Sequence, residues 1–336
     1  MRYIGIDLHK NNFQVCYLTE GEKSFSHHAI YEIEGFKKQL NKEDHLAVET
    51  TGNTRYFVNQ VKESVKRVVV VNPRQFKVIS HSVKKTDKQD AEQLALFLSK
   101  DMLPEVRMKN EQQSQLKSMA NTRDKLVKLR TALKNKVHNI LNAHGIVSKR
   151  EAFSSDKSLT VLEGYALNEL ATLEIEVIVG QLRSLNEGIK KLDKQIEEAG
   201  KKLKGFDNLT SIKGIGNKSA SILLSIIGDV NDFSDSGKLA SYFGLVPRMS
   251  NSNETIHQGR ITKHGSKLGR TTLVQCTLIA IRYSEYLRTF YDRLKRKKGS
   301  GKAIIATARK FLDIIYKTLK ENLIFEDFPN FVLKSS

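Results

Sequence analysis

Four carboxylates stand out by where they fall in the hydrophobic pattern of the chain. Asp7 lies in the apolar run 3–8, and the alternation of Ile4, Ile6 and Leu8 puts it on the opposite strand face, with Tyr3 and Gly5. Glu49 ends the run 46–49, just before Thr50, Thr51 and Gly52. The end of a strand is where α/β sheets usually carry functional groups. Asp87 and Asp90 follow Thr86, which stands three residues before Gln89 in a capping-box pattern. Each precedes by four residues a member of the apolar stripe Ala91, Leu94, Ala95 and Leu98, so both prolong that stripe toward the helix start. A carboxylate on a central strand is costly to bury without a partner or a cation. Four such groups suit two divalent ions about 4 Å apart, one activating an attacking oxygen and the other stabilising a leaving oxygen. Oxygen ligands and phosphate chemistry favour Mg2+, with Mn2+ as the alternative. Singly, each residue has a plainer role: an Asp at a helix start balances the dipole, and Asp7 has Lys10 as a nearby partner. The four together, in this order, point to a metal site.

The elements that must position them read as α/β over residues 1–104. Strands are expected at 3–8, 13–18, 24–30, 46–49 and 68–71, and helices at 33–40, 55–65 and 86–99. Three strands before the first helix fit an RNase H-like sheet. A doubly wound nucleotide-binding domain would alternate from the start and carry a glycine-rich turn after its first strand. His9 reads as a residue facing the core or capping the turn before Asn11 and Asn12. Residues 105–204 are expected to be a helical, coiled-coil domain. Proline is absent from 111–203, and Ile178, Leu182, Leu185, Ile189, Leu192, Ile196, Ala199 and Leu203 keep a heptad seam. A looser seam at 116–141 is interrupted by Arg123 and Arg130. Two long helices follow, as an antiparallel pair, a dimer contact, or both. Residues 205–336 are expected to be a third, mainly helical domain. In it Lys213-Gly214-Ile215-Gly216 resembles the turn of a helix-hairpin-helix element, a polar loop spans 248–265, and a helix runs from about 266 to 284.

The chain has 336 residues, with 56 Lys and Arg against 37 Asp and Glu, a formal charge of +19. Such an excess favours a nucleic-acid partner, because counterion release drives the association. The candidate phosphate contacts are Lys10, Lys84, Lys85, Lys213, Arg248, Arg260, Lys263 and the cluster Arg293, Lys295, Arg296, Lys297 and Lys298. Only Cys16 and Cys276 are present, too few for a disulfide framework or a structural zinc site, so a reduced cytoplasmic setting is expected. The longest apolar runs, 68–71 and 222–227, are too short to span a bilayer, and no membrane partner is expected.

Five segments carry a resemblance. They are GIDLHK (5–10), AVETTG (47–52), KKTDKQDA (84–91), LASYFGLVPR (239–248) and GRITKHG (259–265). The set resembles the DEDD transposases of bacterial and archaeal insertion sequences of the 110 type, whose N-terminal domain is similar to the RuvC resolvase. The resemblance implies an acidic tetrad at Asp7, Glu49, Asp87 and Asp90, and a nucleophilic serine between the two C-terminal blocks, which by spacing is Ser252. Asn253 stands where the family pattern usually has glycine, so Ser250 is the alternative. It further implies attack on a DNA phosphate through a transient phosphoserine, in a dimer or tetramer whose acidic and serine sites come from different subunits. Donor and target DNA are the substrates, and in several members a structured guide RNA from the element's own end pairs with both. A serine hydroxyl is a weak nucleophile and needs charge stabilisation on the phosphate, for which Arg248, Arg260 and Lys263 are placed by sequence. His257 is a candidate proton shuttle. The alternatives are a RuvC-like endonuclease that uses water as nucleophile, with no covalent intermediate, and a non-enzymatic nucleic-acid binder.

Overall fold

The apolar runs of the first hundred residues form one mixed sheet. The computed structural model describes residues 1–72, 86–252 and 255–333, with backbone alone at 249–252 and 255–258. The candidate phosphate ligands Lys84 and Lys85 lie outside the described residues. The chain divides into two compact units, Met1–Met108 and Lys109–Ser336.

In the first unit β1 (Arg2–Leu8), β2 (Asn12–Thr19) and β3 (Glu22–Ala29) form an antiparallel meander. A short α1 (Ile33–Lys37) leads to β4 (His45–Glu49), and α2 (Thr54–Val61) to β5 (Arg67–Val71). The sheet order is β3-β2-β1-β4-β5, with β1–β4 and β4–β5 parallel. Alternation decides the two faces. Ile4, Ile6, Leu8, Phe13 and Val15 pack with Phe36 of α1 and Phe57 of α2. The Phe13 ring meets those of Phe36 and Phe57 edge-on at 5.1 and 5.2 Å. On the other face lies α3 (Asp87–Ser99), whose Ala91, Leu94, Ala95 and Leu98 meet Cys16, Leu18, Ala47, Val69 and Val71. Gly5 sits directly under this helix: a Cβ there would stand 2.0 Å from the Ala91 carbonyl oxygen and 2.5 Å from the Ala95 nitrogen. Only glycine lets the two backbones come so close. The two early helices are shorter than their patterns: α1 closes with tighter bonds, Gln39 N–H to the Phe36 carbonyl at 3.0 Å and Leu40 N–H to that of Lys37 at 3.1 Å, and α2 gives way to a 3-10 turn at Lys62–Ser64. The first unit runs to 108 rather than 104, since the returning chain lies along β5: Val106 N–H donates to the Val70 carbonyl at 2.7 Å and Arg67 binds Asp101 and Glu105.

The second unit opens with two 33-residue helices, α4 (Glu111–Ala143) and, after the short α5 (Asp156–Thr160), α6 (Glu169–Lys201). They are antiparallel within one chain, as the pairs Arg123–Asp193, Arg130–Asn186 and Lys136–Glu174 show by their opposite progress in sequence. Ile178, Leu182, Ile189 and Ile196 of the seam are buried. The two arginines that interrupt the seam of α4 thus meet polar partners across it. Phe153, Leu159 and Leu162 close the far end over Val137, Leu141 and Ile175.

The rest is α7 (Phe206–Thr210), α8 (Asn217–Ile227), α9 (Ser236–Tyr242), a hairpin of β6 (Pro247–Ser252) and β7 (Thr255–Ile261), and α10 (Lys267–Tyr283), α11 (Glu285–Lys298) and α12 (Ser300–Lys320). A small hairpin, Phe325–Asp327 with Val332–Leu333, follows. One core gathers Leu223, Phe243, Leu273, Phe311 and Ile315 with Leu116 and Ala120 of α4 and Ile196 of α6. A domain division at 204/205 therefore falls inside one compact unit, because the near ends of the long helices pack into the C-terminal core. The segment read from sequence as a polar loop at 248–265 is a two-stranded hairpin for most of its length. Among the described residues no helix is long and apolar enough to cross a membrane.

Candidate active site

The acidic residues converge where β1, β4 and the start of α3 meet. The parallel register of β1 and β4 ends with Ile6 beside Val48, so Asp7 and Glu49 are the next residues on neighbouring strands. The chain after Glu49 is fixed by its own polar residues. Thr54 Oγ1 donates to the Glu49 carbonyl at 2.8 Å and accepts from Thr51 N–H at 2.7 Å, while Thr50 N–H donates to the Val71 carbonyl at 2.8 Å. Asn53 Nδ2 donates to the carbonyl of His9 at 2.9 Å and to that of Lys10 at 3.3 Å, tying the β1–β2 turn to this loop. Thr86 caps α3 by accepting from Gln89 N–H at 3.3 Å, which sets Asp87 and Asp90 in the first turn.

Asp7 and Asp90 are each only 6% exposed, whereas the Asp87 side chain is open to solvent. Burial pushes the Asp7 carboxyl above the usual carboxylate range; His9 pulls it down, and the like charges of Asp87 and Asp90 push it further up. His9 does not face the core. Its backbone N–H does close the turn, donating to the Asn12 carbonyl at 2.9 Å, but its half-exposed ring stands between two carboxylates. Nε2 lies 3.3 Å from Asp7 Oδ2 and 3.3 Å from Asp87 Oδ2. Ligand atoms of Asp7, His9 and Asp87 all lie within 4.8 Å of one another. Asp90 is close enough to raise Asp7, and Glu49 ends the adjacent strand; neither belongs to that tight group. Among the described ion contacts Asp7 meets His9 rather than Lys10. Carboxylate oxygens crowded beside an imidazole nitrogen form a donor set that fits a divalent cation, which would relieve their mutual repulsion.

In the second unit, Ser252 ends β6, opposite Thr255 of β7, and Ser250 pairs in register with His257. Arg248, Arg260 and Lys263 are exposed along or just after the hairpin. The two sequence blocks flanking it are in backbone contact. A Cβ on Gly244 would stand 2.1 Å from the His264 carbonyl oxygen, and one on Gly265 would stand 2.1 Å from that of Tyr242. Both glycines also have positive φ, +68° and +87°. Arg270 Nη1 donates to the carbonyls of Phe243 at 3.1 Å, His264 at 3.2 Å and Gly265 at 3.3 Å, clamping the base of the hairpin. Sequence reasoning did not single out Arg270, Asn53 or Thr54. Their only signal was adjacency to the motifs. Lys213 is exposed in the turn before α8, where Gly214, at φ +107°, presses on the backbone of α10. Arg293, Lys295, Arg296, Lys297 and Lys298 are exposed at the end of α11, where they also suit the helix dipole. Arg293 lies over the Phe290 ring at 5.5 Å, and Lys310 of α12 over Tyr286 and Phe290 at 4.4 and 4.6 Å.

Comparison with known proteins decides the family. A family model described as "Transposase", of the DEDD type of IS110, matches residues 4–146, and one described as "Transposase IS116/IS110/IS902 family" matches residues 206–292. The chain belongs to the IS110-type DEDD transposases. It is thus a DNA transposase, an enzyme that acts on DNA, and members of this family generally use a divalent metal. Several relatives match over nearly the whole transposase. A "Probable family 20 transposase" of Pseudomonas aeruginosa is 25% identical over 96% of this chain and 98% of its own. The "Transposase for insertion sequence element IS1111A" of Coxiella burnetii is 24% identical, over 95% and 90%. A "Pilin gene-inverting protein" of Moraxella bovis is 28% identical, over 96% and 97%.

Proposed function

We propose that this transposase cuts and rejoins DNA through an RNase H-like acidic site, formed by Asp7, Glu49, Asp87 and Asp90, and a serine nucleophile at Ser252. The observation that carries the proposal is the convergence of Asp7 and Asp87 at one end of the sheet, with Asp90 close enough to shift Asp7. The sheet order β3-β2-β1-β4-β5, three antiparallel strands followed by two parallel ones, supports the RNase H-like reading. The four carboxylates would hold Mg2+ or Mn2+, which when bound supplies Lewis-acid stabilisation of the phosphate oxygens. Ser252 Oγ attacks the scissile phosphorus, the 3′ or 5′ oxygen leaves, and the phosphoserine link conserves the bond energy for rejoining to a second DNA end. Arg248, Arg260 and Lys263 neutralise the phosphate around that serine. Lys10, Lys84, Lys85, Lys213 and the basic end of α11 hold the nucleic acid backbone. The working form is a homo-oligomer in the cytoplasm, in which the acidic unit of one chain serves the serine of another. A structured RNA from the element pairs with donor and target DNA.

A denaturing gel tests this. Protein, Mg2+, labelled donor and target DNA, and RNA transcribed from the element's flank should give a protein–DNA adduct. Ser252→Ala and Asp7→Ala should both abolish it, and Ser250→Ala should leave it. Cleavage to free ends without an adduct refutes the serine and favours a water-using endonuclease. An adduct formed equally well without RNA refutes the guide.

A further inference from the structure

The sequence points to oxygen ligands alone for the acidic site, yet one nitrogen stands among them. His9 is the first residue after β1, two beyond Asp7. The backbone that holds the His9 ring is fixed from two directions. Its N–H donates to Asn12 at 2.9 Å, and its carbonyl accepts from Asn53 at 2.9 Å. The ring is about half exposed, so it is not spent on packing. Its Nε2 is 3.3 Å from one oxygen of Asp7 and 3.3 Å from one oxygen of Asp87. At metal–ligand bonds of about 2.1 Å, neighbouring donors of an octahedral ion stand about 3 Å apart. The two distances from the imidazole nitrogen are therefore already close to the spacing of neighbouring donors, and the third separation, between the two carboxylates, is within 4.8 Å.

We propose that His9 is itself a ligand of the metal centre, contributing Nε2 beside the oxygens of Asp7 and Asp87, and that it tilts the site toward Mn2+ and away from Mg2+. The proposal rests on the acidic-site reading above. Mg2+ is a hard ion that takes oxygen ligands, whereas Mn2+, although it too suits carboxylates, belongs to the first-row series whose ions accept nitrogen donors, at its weakest-binding end. A site with one nitrogen gains affinity for Mn2+ without a matching gain for Mg2+. The ring also makes that site sensitive to the position of the β1–β2 turn, through the Asn53 bonds that hold it.

The test uses the full-length protein loaded with Mn2+ alone. Pulsed electron paramagnetic resonance detects nitrogen bound directly to Mn2+. The wild type should show a 14N coupling that changes to the 15N pattern when the protein is made with 15N-histidine. His9→Ala should lose the coupling and bind Mn2+ at least about 10-fold more weakly, the cost that loss of even an outer partner brings. Its Mg2+ affinity, read by competition, should change much less. His9→Gln, which keeps a polar side chain there, should also lose the coupling. Asp7→Asn should abolish the bound-Mn2+ signal. Mn2+ bound in an Asp7-dependent way with no nitrogen coupling overturns the role of His9 and leaves the acidic site standing. A coupling that survives in His9→Ala assigns the nitrogen to another histidine and also overturns it. Absence of any Asp7-dependent Mn2+ binding overturns the acidic site and this proposal together.

Discussion

Replacing Gly5 by alanine should disable the acidic site without touching a single carboxylate. The added Cβ would stand 2.0 Å from the Ala91 carbonyl oxygen, 2.5 Å from the Ala95 nitrogen and 3.0 Å from Leu94 Cβ. Two of these neighbours are backbone atoms in the middle of a helix, so no side-chain rotation relieves the clash. Real contacts of this kind essentially never fall below 3.0 Å, so β1 and α3 must separate by about 1 Å. Overpacking of this sort costs about 1–3 kcal/mol. In a domain near this size each kcal/mol lowers the melting midpoint by about 4–8 °C, so a fall of roughly 10 °C is expected. The same movement carries Asp87 and Asp90 away from Asp7, and a 1 Å misplacement of reacting groups costs about 100-fold in rate. Thermal melting followed by circular dichroism reads the first effect, and adduct yield on the denaturing gel reads the second. Gly35→Ala is the control, since a Cβ there meets nothing within 4 Å. If Gly5→Ala melts within about 2 °C of the wild type and gives wild-type adduct, the close approach of β1 and α3 is not what positions the site.

Two further predictions concern the second unit. Asp193 accepts from Arg123 at 2.8 Å and from Lys218 at 3.1 Å; burial would raise its carboxyl, but these hydrogen bonds win and hold it below the usual range. Its contribution is present above the ordinary carboxylate range and lost as pH falls through the depressed value. Asp193→Asn should therefore cost about 2 kcal/mol in urea unfolding at neutral pH and converge with the wild type in acid. A difference independent of pH would refute the ionic account. Lys109 Nζ, half-buried, donates to the carbonyls of Ser225, at 2.6 Å, and Ile226, and desolvation lowers its pKa to about 7 from 10.5. Between those two pH values the unfolded chain takes up a proton that the folded chain does not. Stability should fall as pH is lowered from about 10.5 toward 7. Lys109→Met should flatten that slope in urea midpoints. An unchanged slope in the variant would show that the carbonyl cage, rather than desolvation, sets the charge of Lys109.

The sheet was legible because its strands are short apolar runs whose alternation assigns both faces. Ile4, Ile6 and Leu8 went to one core, and Tyr3 and Gly5 to the side of α3. The helices 33–40 and 55–65 were overextended, since apolar spacing alone does not separate an α-turn from a 3-10 turn. The hairpin at β6 and β7 was hidden by its Ser, Asn and Gln content, which reads as loop until a partner strand is known. A heptad seam says that α6 needs a partner, but not whether the partner is in the same chain. Arg123 and Arg130 held that information, since interruptions of one seam must be met by polar groups on the other, and Asp193 and Asn186 meet them.

The site divides along the same physical line. The positions of Asp7, Glu49, Asp87 and Asp90 on strand ends and a helix start followed from pattern, while Ser252 rested on resemblance, because a serine in a polar segment carries no periodic signal. His9, read from sequence as a core-facing or turn-capping residue, follows the end of β1, where alternation no longer applies, so its place between Asp7 and Asp87 carries no periodic signal. The residues around each acidic position explain why a recognisable motif is longer than its carboxylate. Gly5 lets α3 approach Asp7; Thr51 and Thr54 pin the chain behind Glu49, and Asn53 reaches back to hold the carbonyl of His9; Thr86 starts the helix that presents Asp87 and Asp90. The C-terminal blocks work likewise, with Gly244 and Gly265 in backbone contact and Arg270 binding three carbonyls at the hairpin base. A carboxylate or a serine alone has no fixed neighbour. Each short motif in this chain couples a candidate site residue to backbone contacts beside it. That coupling is why blocks of six to ten residues at the two ends of the chain are recognisable by sequence alone, whereas the second long helix, α6, lies outside both family matches.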